Sequence, residues 1–380
     1  MDLGVCDAEA GAVASVFFLV YALAVPFGGF LGDFFSRKWV IVAGSVLFVS
    51  GVFFASFATT AGMMVLTYGI LNGIGQSMVL VSSTSVLQQL HKESRATALS
   101  IYQLAAYAGI VLCSLAAGFL SSLGPGGWRR AFMIFGIVGA VFAAALVFCL
   151  KDTAPETCGA LRETSSGASL KEAFLAMFSK LSAILMTLVF GLGNFGDIGF
   201  RTWMPSCLMR SVEGITPASA AFHSVFWFCA GGFAGTLVAG RISDGWRRRG
   251  NLSARLDCNI IGHVLCAVSA VAVAFCTSSL PLLAPRLVFY GFVHGFYDAN
   301  FIASFYEVIA PRYRTSAYAL YAAGAFLIGS SAPIALGAFA EMFSLNTAMA
   351  SLGWFYVSAA SLSFVVRVFF FRNDYVKADK

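Results

Sequence analysis

The sequence predicts an all-α membrane protein built from two similar helix bundles. Three observations carry that reading: an apolar composition, a series of hydrophobic runs long enough to span a bilayer, and an internal repeat. Of the 380 residues, 59% are hydrophobic and only 11% are charged. An ordinary soluble domain carries about 25% charged residues, so this chain lacks the polar surface to cover a water-exposed globule. The formal net charge of +6 could suggest a nucleic-acid partner, but the bases fall in short clusters between apolar runs rather than along one face, and no nucleic acid is expected. Nine cysteines include no CxxC pair, and all but Cys6 and Cys158 lie in or beside apolar runs. They read as small hydrophobes within helices, not as a disulfide scaffold or a zinc site.

Each crossing of a bilayer core about 30 Å thick needs roughly 20 apolar helical residues. Eleven such runs are present, near 11–32, 39–60, 62–90, 97–122, 129–150, 181–209, 218–240, 257–277, 281–310, 316–341 and 346–371. Their length excludes a β-barrel, whose strands alternate over about 10 residues. The 38 glycines and 15% aromatics suit close helix packing in lipid. Nineteen Lys and Arg fall in connecting segments on one side and four on the other, so the first side, with the C-terminus, is expected to be cytoplasmic. Eleven crossings then place Met1 outside, and the opening MDLGVCDAEAG has no signal-peptide pattern, so a further helix before Met1 is expected.

The chain repeats itself. Tyr68-Gly69 aligns with Tyr290-Gly291, Asn72 with His294, Gln76 with Asp298, and Arg95 with Arg314. A second match aligns Gly29, Asp33, Arg37 and Lys38 with Gly240, Asp244, Arg248 and Arg249. The polar stretch 151–180 divides the halves, giving a first bundle over 1–150, a cytoplasmic linker, and a second bundle over 181–380. In these motifs the sequence resembles the major facilitator superfamily, whose G-x-x-x-D-[RK]-x-G-R-[RK] signature recurs once in each half. Phe34 and Ser36 depart from that signature. The resemblance implies two pseudo-symmetric six-helix bundles, with eleven of twelve helices seen. The segments FRTWMPSCL and YDANFIASFYEVIAPRYRTSA are similar to those of bacterial members that import sugars, sugar acids or other organic anions.

Asp33, Arg37, Arg95, Asp244, Arg248 and Arg314 sit at helix ends on the basic side, where carboxylate–arginine pairs can latch one conformation. Glu307 is assigned to the same gate, while Lys38, Arg247 and Arg249 are read as topology signals only. Ionisable groups inside a membrane are costly and mark function. That short list is Asp197, Arg201, His223, His263, His294 and Asp298. Asp298 lies about 18 Å beyond Arg286, near the midplane, with His294 one turn away and Asn300 alongside. A carboxylate there suits proton coupling. Asp197 and Arg201 form an i,i+4 pair expected toward the outer mouth, with Asp197 a second coupling candidate and Arg201 a bidentate partner for a carboxylate or phosphate. His263 is read as structural. Asn72, Gln76, Gln103 and Tyr107 offer hydrogen bonds to a solute from the first half.

No nucleophile–base pair, metal constellation or GxxxxGK[ST] loop appears, so neither an enzyme, a cofactor nor an ATP-driven pump is expected. The fourth helix has no basic residue before Lys92, and AYAGIVLCSLAAG lacks the proline of drug-efflux members of the resembled family. The expected function is secondary active import of a small organic solute, a sugar acid, other carboxylate or sugar, by proton symport through alternating access. Its setting is a bacterial inner membrane, its partners are solute and bilayer, and it works as a monomer. Two alternatives stand beside it: a non-transporting sensor on the same scaffold, and a lysolipid or amphiphile carrier.

Overall fold

The computed structural model describes residues 4–90, 95–150, 170–275, 280–310 and 313–376. Among them the regular elements are helical. They are α1 (Asp7–Phe34), α2 (Arg37–Ala55), α3 (Ala61–Met64), a wide π segment Val65–Leu71, α4 (Asn72–Leu90), α5 (Arg95–Ser122), α6 (Gly127–Cys149) and α7 (Leu170–Phe178). There follow α8 (Leu181–Ser211), α9 (Pro217–Arg248), α10 (Ala254–Ala274), α11 (Leu280–Asp298), α12 (Phe301–Val308), α13 (Arg314–Gly329), α14 (Ala332–Met342) and α15 (Leu345–Val365). A π turn Val366–Phe370 and α16 (Phe371–Asp374) complete the chain. Nine stretches among the described residues are long and apolar enough to cross a bilayer, and Ala108–Ser122 is a shorter apolar helix.

Polar residues mark the helix ends. Asp7 and Glu9 occupy the first turn of α1, facing the positive end of its dipole, and Glu9 accepts the Cys6 backbone N–H at 3.1 Å. Thr60 caps α3 and Ser344 caps α15, each hydroxyl accepting a backbone N–H three residues on. Arg129 donates to the carbonyls of Ser56 and Ala58 at 3.0 and 2.7 Å, closing the end of α2.

Two of the expected single spans are broken. The run 281–310 divides at Asp298 because Asn300 folds its amide back onto the Phe296 carbonyl, 2.9 Å, while its backbone N–H reaches Tyr297 in a tight i→i−3 bond. The run 316–341 divides at Ser330-Ser331, whose hydroxyls bond the Leu327 and Ile328 carbonyls at 2.7 Å each. Pro333 follows and has no N–H to continue the ladder.

The chain forms two compact units. One comprises Met1–Thr164, Ile215–Phe222 and Pro333–Glu341, and the other Ser165–Gly214, His223–Ala332 and Met342–Lys380. In the first, α4 packs against both α1 and α2, and α2 also meets α6. The second is built on contacts of α8 with α13 and α15, and of α10 with α11 and α15. An aromatic stack fills part of its core: Phe190 lies 4.0 Å from Phe301 and Phe305 4.1 Å from Tyr321, centroid to centroid.

Small residues set how closely α9 and α11 approach. Gly231 and Gly235 on α9 face Gly291 and Gly295 on α11, each pair four residues apart. A β-carbon at Gly231 or Gly235 would overlap the Val288 or Phe292 carbonyl, and one at Gly291 would overlap that of Phe228. This is the small-xxx-small contact by which helices associate where lipid offers no hydrophobic drive. Gly235→Ala is expected to lower stability by about 1–3 kcal/mol through overpacking. Gly245→Ala, where nothing lies within 4 Å, is expected to be neutral or stabilising. Thermal unfolding of the purified protein in detergent checks both.

Candidate functional site

The second unit concentrates ionisable groups in the apolar run of its helices. Asp197, on α8, shares one carboxylate oxygen between two partners. Arg201 Nε donates to Oδ1 at 2.8 Å, and His294 Nε2 of α11 stands 3.2 Å from the same atom. The spacing of four residues puts Asp197 and Arg201 on one helix face, and the glycine-lined approach of α9 and α11 leaves Phe228 against both Arg201 and His294. The Arg201 guanidinium lies 5.4 Å over the Phe228 ring, and the His294 ring meets that ring edge-on at 5.1 Å.

The depth of this pair differs from expectation. α8 has 31 residues and is about 46 Å long at 1.5 Å per residue, so Asp197, about 24 Å from its start, lies midway along it rather than toward an outer mouth. Its contact with His294 fixes the same conclusion, since His294 is one turn from Asp298. Asp298 ends α11 at the helix break and forms no hydrogen bond or ion pair among the described residues. Asn300 uses its amide donor on the Phe296 carbonyl.

Around this cluster lies a buried polar layer. His263, read as structural, is 1% exposed and stacks on Tyr297 at 4.5 Å. Its Nδ1 contacts the Asn259 carbonyl at 2.8 Å, while its Nε2 has no hydrogen-bond partner among the described residues. Tyr290 and Tyr356 share a hydrogen bond of 2.7 Å. The signal that could have found His263 is the i,i+4 pattern Asn259–His263, which puts two polar side chains on one face of an apolar helix. His223 accepts from the Trp227 indole N–H at 2.9 Å.

At the basic end of the same unit a second network forms. Glu307, buried, takes Arg255 at 3.2 Å and also Arg247, and Arg255 reaches Asp244 at 3.7 Å. Arg247, read as a topology signal, is thus an ion-pair partner. Arg248, placed in the gate, has no ion pair among the described residues. The two differ by about 100° around α9, which points only Arg247 at Glu307. The network also holds the C-terminal segment. Arg247 Nη2 donates to Tyr375 at 2.6 Å, Lys180 bonds the Val308 and Asp374 carbonyls at 2.7 and 2.9 Å, and the Val376 N–H donates to the Glu307 carbonyl at 2.8 Å. Arg255, Lys180 and Tyr375 were missed because their contacts with Glu307, Val308 and Arg247 span 52 or more positions in the chain.

In the first unit Asn72 is buried where the π segment joins α4, with its Oδ1 unbonded among the described residues, and Gln76 is exposed. Arg37 is buried at the start of α2. The side chains of Asp33, Arg95, Gln103, Tyr107 and Arg314 lie outside the described residues.

Residues 2–256 match the family model of the Major Facilitator Superfamily. The chain belongs to that superfamily. It is 24% identical over 403 residues to the sphingosine-1-phosphate transporter SPNS2 of Xenopus tropicalis, an alignment covering 98% of this chain and 77% of that protein. It is 25% identical over 332 residues to a protein of Cupriavidus pinatubonensis named a probable 4-methylmuconolactone transporter, covering 86% of this chain and 73% of that one. Among solved structures, a bacterial homolog to the human lysosomal transporter Spinster, in an inward-facing and unoccupied conformation, superposes with a TM-score of 0.82 at 20% identity. That match covers 98% of this chain and 92% of the other. This member of the superfamily is a multi-pass transmembrane transporter of small molecules, not an enzyme.

In this transporter Glu307→Gln leaves Arg247 and Arg255 without their shared carboxylate. Removing one partner of a buried pair costs about 3–5 kcal/mol, and the partly wet arginines bring the expectation to the low end. Arg248→Gln should change stability by about 0.5 kcal/mol or less. Thermal melts of the two variants, compared in one detergent, check the contrast.

Proposed function

We propose that this protein is a proton-coupled importer of a small organic anion, a carboxylate in the first place, working by alternating access in a bacterial inner membrane with its C-terminus in the cytoplasm. The observation that carries the reading is the single Asp197 oxygen held by Arg201 and His294 at mid-helix, one turn from Asp298. In the resting arrangement Asp197 occupies the guanidinium that an anion would need. A proton arriving on Asp197 cancels its charge, weakens its hold on Arg201, and frees that fork for the solute. The proton and the anion therefore favour each other's binding, as symport requires, and by linkage the preference is mutual. Asp298, at the negative end of the α11 dipole and without a directly paired cation among the described residues, is the second group suited to carry a proton. His294 contacts Asp197 and stands four residues before Asp298 on α11. The i,i+4 arrangement alone would also fit a self-paired bridge within α8, but the His294 contact joins the pair to α11.

A second reading, carriage of a phosphate-bearing amphiphile, has support from the 24% identity to a sphingosine-1-phosphate transporter over nearly the whole chain. The same guanidinium would take the phosphate. Reconstitution separates the two. Sealed proteoliposomes with an inward proton gradient should accumulate a labelled sugar acid or lactone-derived carboxylate above equilibrium, and a sphingosine phosphate or lysophospholipid should not be carried. The opposite result adopts the second reading, and flux of neither leaves a sensor.

Arg201→Gln should raise KM for the carboxylate about 10- to 100-fold, the worth of a charged hydrogen bond. Asp298→Asn should abolish uphill accumulation while sparing counterflow exchange. Loss of both activities in Asp298→Asn would assign that residue to binding or folding instead of coupling.

A further inference from the structure

A groove of about 610 Å³ opens at the basic end of the second unit, apart from both networks of the transport site. It is lined by Trp246, Arg249 and the Asp257–Arg367 ion pair and, one turn further along α10 and α15 from that pair, by Ile261 and Phe364. The loop that shapes it, between α9 and α10, is held in place by local chemistry. Gly250 adopts φ +92°, which favours glycine, and the Asn251 side chain donates to Asp257 at 2.8 Å while accepting the Ser253 N–H at 3.0 Å. Opposite, the helix of α15 widens to a π turn at Val366–Phe370, and Arg367 stands in that turn.

The occupant is constrained by the walls. Two arginines face one aspartate, so the groove has a net positive charge, and Arg249 is exposed with no ion pair among the described residues. Directly beside them, Ile261 is 37% and Phe364 53% exposed on helices that read as membrane spans. A free inorganic anion would use the arginines and leave the apolar wall idle. A hydrocarbon chain alone would leave the arginines idle. The molecule that uses both has an anionic head at the span end and an apolar tail running along it, with an indole at head-group level as such boundaries favour.

We propose that this groove is a binding site for one anionic phospholipid, its phosphate taken by Arg249 and the free face of Arg367 and its acyl chain lying on Ile261 and Phe364. The site gives the transporter a dependence on the head group of the leaflet it sits in, separate from recognition of its solute. Asp257 holds Arg367 through Nε and so orients its outer nitrogens.

The test uses the full chain purified in detergent and titrated with phosphatidylglycerol or with phosphatidylcholine of the same acyl chains. Native mass spectrometry reads retained lipid and thermal unfolding reads protection. Phosphatidylglycerol should be retained in preference, saturating at one copy at this site, and Arg249→Gln should weaken that retention about fivefold, the effect of one arginine at an anionic surface. Arg249→Lys should keep most of it. Equal retention of the two lipids, or undiminished retention by Arg249→Gln, overturns the site. Should Arg249→Gln fail to fold, wild-type protein decides through competition: glycerol 3-phosphate, the head without tails, must fail to displace phosphatidylglycerol. Displacement by it, or by inorganic phosphate, reduces the groove to a soluble-anion site and overturns the lipid assignment.

Discussion

A charged group in hydrocarbon must find its partner within the protein, and in the second unit that requirement falls on one oxygen atom. Asp197 Oδ1 serves Arg201 and His294 together. Leaving any of the three unpaired at that depth costs more than most single packing contacts supply. The cluster therefore governs the helices that carry it. α8 must present positions 197 and 201 on one face, α11 must bring His294 to within 3.2 Å, and α9 must come close enough for Phe228 to cover both Arg201 and His294. The glycines of α9 and α11 permit that approach. Packing without side chains and the buried charge are thus two parts of one arrangement.

The helix break at Asp298 belongs to the same arrangement. Backbone irregularity at membrane depth is tolerated only where the freed groups are satisfied from inside the protein. Asn300 supplies that satisfaction to the Phe296 carbonyl, and the short α12 then resumes with Phe301 and Phe305 anchored in the aromatic stack. A continuous α11 would carry the chain on without exposing its last carbonyls beside Asp298. The interruption ends the helix there, so a carboxylate stands at the negative end of a half-helix, a poor place for a bare anion and a good one for a proton.

Fold class and the succession of apolar spans were legible because they depend on a local quantity, the length of each apolar run. The pairing Asp197–Arg201 was legible for the same reason, being an i,i+4 relation. What was not legible depends on contacts distant in sequence. His263 reads from the sequence as structural, and only Tyr297 packed against its ring reveals it as part of the buried polar layer. Asp197 was placed toward a mouth by counting from the start of its run, although the run 181–209 is nearly the whole helix Leu181–Ser211, in which position 197 falls midway. Arg247 and Arg248 are equivalent as letters, and helical phase alone selects the one that meets Glu307. The break in 281–310 was hidden because Asn300 breaks a helix through a side-chain bond, not through glycine or proline.

The repeat also has a consequence for chemistry. Asn72 and Gln76 align with His294 and Asp298, so duplication placed neutral amides in one half and ionisable groups in the other. Had both halves kept charges, each would need its own internal counter-ion, and every conformational step would desolvate two sets. In the second unit the Asp197 cluster and the Glu307 network meet that penalty with partners inside one compact unit, while Asn72 of the first unit is a buried neutral amide that carries no ionic cost. It follows that pH should act on this transporter through the second unit, while substitutions at Asn72 should alter which solute is taken and not how it is coupled. The amide Oδ1 of Asn72, buried and unbonded among the described residues, is the kind of acceptor that such selectivity uses.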